Sequence, residues 1–246
     1  MLGITHAGAS NQRGFTLIEM SIVLVIIGLI IGGILKGQEI IESSRQKNVI
    51  TQIDAVRAAV NTFADKYNAL PGDYGLAATR INAGLSAGDD SGVIGAIAAS
   101  PLAVANAGEN MNFFNHLAAA ELLSGTTVGG ATGGFGDGQA LPAVAIPGAG
   151  MTMLYTNHNF IAANARQTHW LRVHKDPTIA IANAAATSAF TAKSLFQIDL
   201  KVDDGNGGNG NARAQTGAAA ACMSAVGAYN VLDGNQFCAG FFELIQ

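Results

Sequence analysis

The amino-acid sequence predicts an α+β fold in which one long N-terminal helix packs on a C-terminal antiparallel sheet. Three observations predict it. Residues 15–35 are apolar or uncharged except for Glu19, and the chain from there to Tyr67 carries apolar side chains at spacings of three and four. Residues 194–202 alternate between apolar and polar side chains. The apolar run and the spacing of three and four are typical of a continuous helix. The alternation at residues 194–202 is typical of a half-buried strand.

The apolar run is long enough to cross a membrane. A helix rises about 1.5 Å per residue, so the run from Phe15 to Leu35 matches a bilayer core of about 30 Å. A secretory signal peptide is the first alternative. Its apolar stretch is about 7 to 15 residues long and ends at a small-residue cleavage site, whereas here the sequence GGILKGQEII follows. The pattern therefore favours a membrane helix over a signal peptide.

The second half of the predicted helix is amphipathic, and Pro71 sets its end because a proline disfavours helical geometry at the preceding Leu70. A helix from Phe15 to about Tyr67 would rise roughly 80 Å, so half of it is expected to project from the globular body. The apolar positions of this half are Ile40, Ile41, Ile50, Ile53, Val56, Val60, Phe63, Ala64 and Tyr67.

The segment RGFTLIEMSIVLVIIGLIIGGIL resembles the N-terminal cleavage and methylation segment of type IV pilins and of type II secretion pseudopilins. The likeness consists of a Gly followed by Phe, the FTLIE run, and the apolar helix after it. The resemblance implies that a prepilin peptidase cuts after Gly14 on the cytoplasmic side and methylates Phe15, the new N-terminal residue. It also implies a pilin-like fold, with the sheet covering the C-terminal half of the helix.

Glu19 is an acid inside an apolar helix, where an ionised carboxylate costs at least a few kcal/mol. The resemblance implies that Glu19 pairs with the terminal amine of a neighbouring subunit during filament assembly. Such an amine is cationic at neutral pH and can neutralise the carboxylate. The alternative is that the side chain extends to the membrane surface, since it lies five residues from Gly14. Neither interpretation makes Glu19 catalytic.

The chain is predicted to have four parts: a leader at 1–14, a transmembrane and assembly half-helix at 15–36, an amphipathic half-helix at 37–70, and a head at 71–246. The resemblance implies a single-pass protein of the bacterial inner membrane with a cytoplasmic N-terminus, and a head in the periplasm or in an extracellular filament. It implies four partners: the prepilin peptidase, other pilin or pseudopilin subunits, the inner membrane and its assembly platform.

Composition excludes several function classes. The net charge is −4, only 12% of the residues are charged, and the 13 Lys and Arg are scattered among 17 Asp and Glu. A nucleic-acid-binding protein is expected to carry a basic patch, and none is indicated. Glycine-rich residues 125–150 contain no Gly-Lys-Ser/Thr triplet, so they do not form a P-loop.

The chain contains two cysteines, Cys222 and Cys238. Two are too few for a zinc cage of cysteines. They form either a pair of buried thiols or a disulfide. Export of the head favours the disulfide, because oxidising compartments stabilise such bonds.

A glycine-rich acidic loop, DDGNGGNGNA at residues 203–212, follows the alternating segment. Asp203, Asp204 and Asn206 offer oxygen ligands for Ca²⁺, and some pseudopilins hold calcium in a C-terminal loop. The spacing fails the EF-hand template, because Gly208 stands at a ligand position and no Glu follows. A glycine-rich turn without an ion is the alternative. No other cofactor is expected.

Further elements of the head are predicted from local patterns. A helix is expected at 112–125 with Gly125 as its C-cap, and strands at 151–156 and 159–165 as well as at 194–202. His158, His169 and His174 lie close in sequence, but the last two are five residues apart and share neither a helix face nor a strand face. Packing or surface positions are therefore expected for them rather than a metal site.

The sequence favours a structural subunit that polymerises into a type IV pilus or a type II secretion pseudopilus, and it presents no catalytic constellation. A minor pilin or a pseudopilin is favoured over a major pilin because the chain is large for a simple fibre protein. The alternative is a membrane-anchored periplasmic binding protein or enzyme that never polymerises.

Overall fold

The fold was analysed in a computed structural model, which describes residues 14–95, 108–156, 166–177, 188–214, 222–224, 226–232, 234 and 238–245. The predicted α+β class is confirmed: a long N-terminal helix is combined with an antiparallel sheet in the C-terminal part. In chain order the described elements are α1 (Leu17–Tyr67), α2 (Ala77–Arg80), α3 (Glu109–Ala119), β1 (Gly150–Thr156), β2 (Thr168–His174), α4 (Ala192–Val202), β3 (Ala212–Ala214) and β4 (Gly240–Glu243).

The chain divides into two compact units, residues 1–44 and 45–246. The described part of the first unit, residues 14–44, is helical from Leu17 onward, and none of its side chains is buried. Ile40 and Ile41 belong to this unit and are 61% and 54% exposed. The amphipathic face that becomes buried therefore begins later than the apolar pattern alone indicates.

In the second unit, helix α1 buries one face and ends at Tyr67, as predicted. The predicted core residues Ile53, Val56, Val60 and Phe63 are all buried. Just beyond the helix, Asn68 adopts a left-handed backbone with φ of 51°, and its N–H donates to the carbonyl of Ala64 at 2.8 Å. The buried positions at spacings of three and four are Gln46, Val49, Ile53, Val56, Ala59, Val60 and Phe63.

The sheet has four strands in the order β1-β2-β4-β3, and every neighbouring pair is antiparallel. In the register of the central strands, Leu171 faces Met153 on one side and Phe242 on the other. These three side chains belong to the same apolar cluster as Val56 and Phe63 of α1. The strand predicted at 151–156 is confirmed as β1, whereas the one predicted at 159–165 lies outside the described residues.

The strand predicted at 194–202 is wrong, because these residues form helix α4. The buried residues Ala192, Leu195 and Ile198 recur every three positions, whereas Leu200, from the alternating set, is 54% exposed. The hydroxyl of Thr191 accepts a hydrogen bond from the N–H of Ser194 at 3.1 Å and caps the helix start. Burial at helical spacing and this cap therefore outweigh the alternating pattern.

The helix predicted at 112–125 exists as α3, but its predicted end is wrong. It spans Glu109–Ala119, and Glu121 adopts the left-handed conformation, with φ of 61°. The N–H of Leu122 donates to the carbonyl of Leu117 at 3.0 Å, which completes a Schellman-type end. Glu121 thus has the left-handed position at the helix end that we predicted for Gly125.

Candidate functional site

Three carboxylates meet at the C-terminal end of α4: those of Asp199, Asp203 and Asp204. One oxygen from each lies within 4.8 Å of the others. Asp199 is fully buried in the last turn of the helix, and its Oδ2 accepts a hydrogen bond from the hydroxyl of Tyr229 at 2.9 Å. Its Oδ1 is also buried and has no hydrogen-bond partner within the part of the chain that the structure describes.

Burial raises the pKa of Asp199 to about 6, and the negative charges of Asp204 and Asp203 add to that rise. The Tyr229 hydroxyl and the nearby backbone N–H of Gly205 act in the opposite direction. The same site raises the pKa of the Tyr229 hydroxyl well above its ordinary value, first through burial and then through the charge of Asp199. The site therefore concentrates negative charge in a poorly hydrated place.

The loop after α4 is shaped by its own acids. Asp203 accepts hydrogen bonds from the backbone N–H groups of Asn211 and of Ala212, the latter at 3.2 Å. Asp204 accepts one from the N–H of Asn206 at 2.7 Å, while the amide oxygen of Asn206 is itself engaged within the loop. The structure therefore brings together two of the three residues predicted for calcium, Asp203 and Asp204. Asn206 instead forms hydrogen bonds within the loop.

Asp199 is the acid that the sequence did not assign to this site. A helix places residues four apart on the same face, so Asp199 and Asp203 approach each other only because residues 192–202 are helical. Three carboxylates, one with a buried oxygen that lacks a partner, fit a hard cation such as Ca²⁺, which prefers several oxygen ligands in a flexible arrangement. Calcium at this loop stays a prediction, with Asp199 in the place that the sequence assigned to Asn206.

Cys222 and Cys238 are joined by a disulfide, with their Cα atoms 5.2 Å apart. Both cysteines are buried, at 2% and 0% exposure. Cys238 also forms a bridge with Phe190, just before α4: each residue's backbone N–H donates to the other's carbonyl, at 3.0 and 3.1 Å. The disulfide therefore ties the segment that contains Tyr229 to the core of the second unit.

A second acidic group, Asp73 with Asp89 and Glu109, was not singled out from the sequence. Its carboxylates already accept hydrogen bonds from loop backbone. Asp73 accepts from the N–H groups of Ser91 and Gly92, at 2.9 and 2.8 Å. Glu109 accepts from the N–H groups of Asp89 and Gly95, at 3.1 and 2.8 Å. This group therefore shapes the loop that precedes α3.

His169 and His174 both lie on β2, and both are buried. The Nε2 atom of His169 accepts the backbone N–H of Ile94 at 3.1 Å, and the ring of His174 is 2.8 Å from the hydroxyl of Thr152. Neither belongs to a cluster of metal-ligating side chains within the described residues, and His158 lies outside them. The two described histidines occupy packing positions. The sequence predicted either packing or surface positions for them.

The N-terminal segment presents a continuous apolar surface. From Phe15 to Leu35 the large apolar side chains are between 42% and 88% exposed. By its length and composition α1 is capable of crossing a membrane. A soluble monomer rarely exposes so large an apolar patch, which marks a surface for lipid or for other helices.

The acid in this segment is engaged with the residue that starts the helix. Oε2 of Glu19 accepts hydrogen bonds from the backbone N–H and from the hydroxyl of Thr16, at 2.8 and 2.7 Å. The N–H of Glu19 donates to the Thr16 hydroxyl at 3.3 Å. This reciprocal pair is a capping box, and its signal in the sequence is the Thr-x-x-Glu spacing within FTLIE.

Comparison with known families gives one match. Residues 9–35 match the family described as the prokaryotic N-terminal methylation motif. The chain carries a prepilin-type N-terminus. This motif is the hallmark of type IV pilins, pseudopilins and related prepilin-like proteins. No curated protein and no solved structure matches the chain.

The prepilin-type segment has Gly14 and Phe15 just before α1, followed by Thr16 and Glu19. In proteins that carry it, this motif implies processing by prepilin peptidase and assembly with other pilin subunits, and together with the apolar helix it supports a structural, membrane-anchored prepilin-like role. Cleavage after Gly14 and methylation of Phe15 remain predictions, as does the pairing of Glu19 with a neighbouring subunit.

Proposed function

We propose that the protein is a minor pilin or a pseudopilin of a type IV pilus or type II secretion system. It is inserted in the bacterial inner membrane with its N-terminus in the cytoplasm, cleaved after Gly14, N-methylated at Phe15, and then polymerised through its N-terminal helix. Residues 1–14 are the leader, residues 15–36 insert and assemble, residues 37–70 continue the helix, and residues 71–246 form the head.

One observation carries this proposal: the apolar N-terminal part of α1 has no buried side chain before residue 45 and contains a single acid, Glu19, in its first turn. The apolar side chains fit lipid before assembly and other helices after it. Glu19 fits a cationic partner, and a terminal amine at Phe15 of another subunit would supply one. The proposed role is mechanical rather than enzymatic, since the assigned residues pack, pair or bind, and none is assigned to a reaction.

Mass spectrometry of the purified protein tests the cleavage. We expect the chain to start at N-methylated Phe15. In a matched pair of variants, Gly14→Ala should block cleavage while Gly33→Ala should leave it intact. An added Cβ meets no atom within 4 Å at either glycine, so a difference reports recognition by the peptidase and not packing. An N-terminus elsewhere than Phe15 would instead favour a membrane-anchored protein that does not polymerise.

We further propose that Asp199, Asp203 and Asp204 hold a calcium ion, which would offset the repulsion among the three carboxylates. The partnerless buried oxygen of Asp199 supports this site. Calorimetric titration of the full-length protein with calcium chloride should show binding that Asp204→Asn weakens by more than about tenfold, since removing one charged ligand costs upwards of about 1.4 kcal/mol. The absence of binding heat and of any calcium-dependent thermal shift would leave a glycine-rich turn.

A further inference from the structure

Tyr229 joins two parts of the head that are distant in sequence. It lies between the two cysteines of the disulfide, and its hydroxyl donates to Oδ2 of Asp199 at 2.9 Å. Besides the disulfide, this is the one hydrogen bond among the described residues that connects residues 222–224 and 226–232 to another segment. The hydroxyl therefore anchors that segment to the proposed cation site.

The ring of Tyr229 also fits closely against the acidic loop. A Cβ added to Gly207 would lie 2.8 Å from Cζ of Tyr229, so a residue with a side chain would force the ring away. The centroid of the Tyr229 ring also lies 5.7 Å from that of Phe196 in α4. Tyr229 is thus close both to helix α4 and to the loop that carries Asp203 and Asp204.

A second contact joins the same two loops. Gly227 has a φ of +88°, which favours glycine, and a Cβ there would lie 3.0 Å from the backbone nitrogen of Gly208. Most of the polar contacts of residues 222–232 are internal, for example from the N–H of Asn230 to the carbonyl of Cys222 at 2.9 Å. The disulfide and the burial of Met223 fix one end of this segment, and residues 226–232 contact the acidic loop at the other end.

Residues 222–232 also expose apolar side chains. Val226 is 78% exposed, Val231 is 40% exposed and Leu232 is 94% exposed. Changing the placement of this segment would move all three side chains together. Because the disulfide anchors only the Cys222 end, a ligand that fixes the acidic loop would hold the other end, which carries these three side chains.

We propose that calcium held by Asp199, Asp203 and Asp204 fixes residues 222–232 in place through the hydroxyl of Tyr229. This inference rests on the calcium site proposed above. An ion on Oδ1 of Asp199 would hold the carboxylate plane, so that Oδ2 stays directed at Tyr229 and accepts a charge-assisted hydrogen bond. Tyr229 is then a positioning residue, which transmits the bound state of the ion to a segment that the ion does not touch.

Hydrogen–deuterium exchange of the full-length protein in detergent tests the link, with calcium chloride compared with EGTA. In the wild type, calcium at about ten times its dissociation constant should slow exchange by about tenfold in residues 199–212 and in residues 222–232. In Tyr229→Phe, calcium should protect residues 199–212 as before and should no longer protect residues 222–232. Tyr67→Phe is the matched control and should behave as the wild type.

The outcomes separate the two proposals. If calcium protects neither segment in the wild type, the cation site itself is wrong. If calcium protects both segments equally in the wild type and in Tyr229→Phe, the site stands and the link through the hydroxyl is wrong. The exposed Asp204 supplies a second variant, Asp204→Asn, which should reduce calcium protection of both segments from about tenfold to about twofold or less without removing a buried group. Retained protection in that variant would contradict the proposed ligand set.

Discussion

The carboxylate of Glu19 is held by Thr16, three residues earlier, which donates to it from both its backbone N–H and its hydroxyl, at 2.8 and 2.7 Å. The acid at the start of the apolar helix therefore has a partner within its own chain. A neighbouring subunit that takes over this carboxylate must offer a stronger bond. A cationic terminal amine at Phe15 would do so, because it adds the attraction of a full positive charge, whereas both donor groups of Thr16 are neutral.

Removing the Thr16 hydroxyl should loosen the first turn of α1. Thr16→Val deletes the side-chain cap, which typically contributes about 1 kcal/mol, so amide exchange at Glu19 and Met20, whose N–H groups bond to Thr16, should accelerate about fivefold. Exchange measured by mass spectrometry in detergent checks this. Thr62→Val is the control, because the Thr62 hydroxyl bonds only to the Ala58 carbonyl in mid-helix among its described contacts. Equal exchange rates in the wild type and in Thr16→Val would show that the cap is unimportant.

Replacing Glu19 with glutamine should block assembly without blocking cleavage. Glu19→Gln keeps the size of the side chain and removes its charge, so the mature protein should form but enter filaments at least about tenfold less, as expected for loss of a desolvated charge pair. The sheared filament fraction is quantified by immunoblot. Glu39→Gln is the matched control, since Glu39 is exposed and pairs with Lys36 at 2.6 Å. Normal incorporation of Glu19→Gln would remove the role assigned to this acid.

Removing the disulfide should destabilise the head. The double variant Cys222→Ser/Cys238→Ser opens a loop of 16 residues, and the free energy of unfolding should fall by about 3 kcal/mol. The single, fully buried tryptophan, Trp170, supplies the fluorescence signal for denaturant unfolding. Reducing the wild-type protein should reproduce the same shift. An unchanged midpoint in both experiments would mean that the bond contributes nothing to stability.

Acid should weaken the fold through its buried histidines. Burial lowers the pKa of His169 to about 4, and its Nε2 accepts the N–H of Ile94, which protonation would forbid. An unfolded histidine has a pKa of about 6.5, so between about pH 6.5 and 4 the unfolded chain binds a proton that the folded chain does not. The free energy of unfolding should therefore fall as the pH falls through this range, by up to about 3 kcal/mol from His169.

Comparing pH profiles tests the assignment to His169. His169→Gln keeps a hydrogen-bond acceptor that does not titrate, so its unfolding free energy should depend less on pH between about 6.5 and 4 than that of the wild type. A residual dependence is expected, because burial also lowers the pKa of His116 and of His174. Parallel curves for the variant and the wild type would contradict the assignment.

The long helix and its end were predictable because they depend on local patterns. The apolar run, the spacing from Ile53 to Phe63 and the turn before Pro71 each act over a few residues. The strand order was not predictable, because β4 pairs with β2 across a large sequence separation. Strand β2 was not predicted from the sequence. Both of its faces are buried, including charged Arg172 and apolar Leu171, so no alternation of apolar and polar residues marks the strand.

The acidic site was predictable only in part, because some of its residues are brought together by contacts that the local sequence does not indicate. Asp203 and Asp204 are adjacent in sequence, so a loop that holds them needs no long-range information. Asp199 joins them only if the preceding residues are helical, and the sequence indicated a strand. Tyr229 reaches the site from a segment closed by the disulfide, a contact that no local spacing reveals.

The position of β4 in the sheet constrains the order in which the head is built. Residues 240–243 lie between β2 and β3, so neither of those strands has its shared neighbour until this late stretch of chain has been made. Until then the chain presents unpaired strand edges, which invite pairing with other chains. With the N-terminal helix inserted in the bilayer, as we propose, the incomplete head is tethered during that interval and can meet other chains only by diffusion in the plane of the membrane.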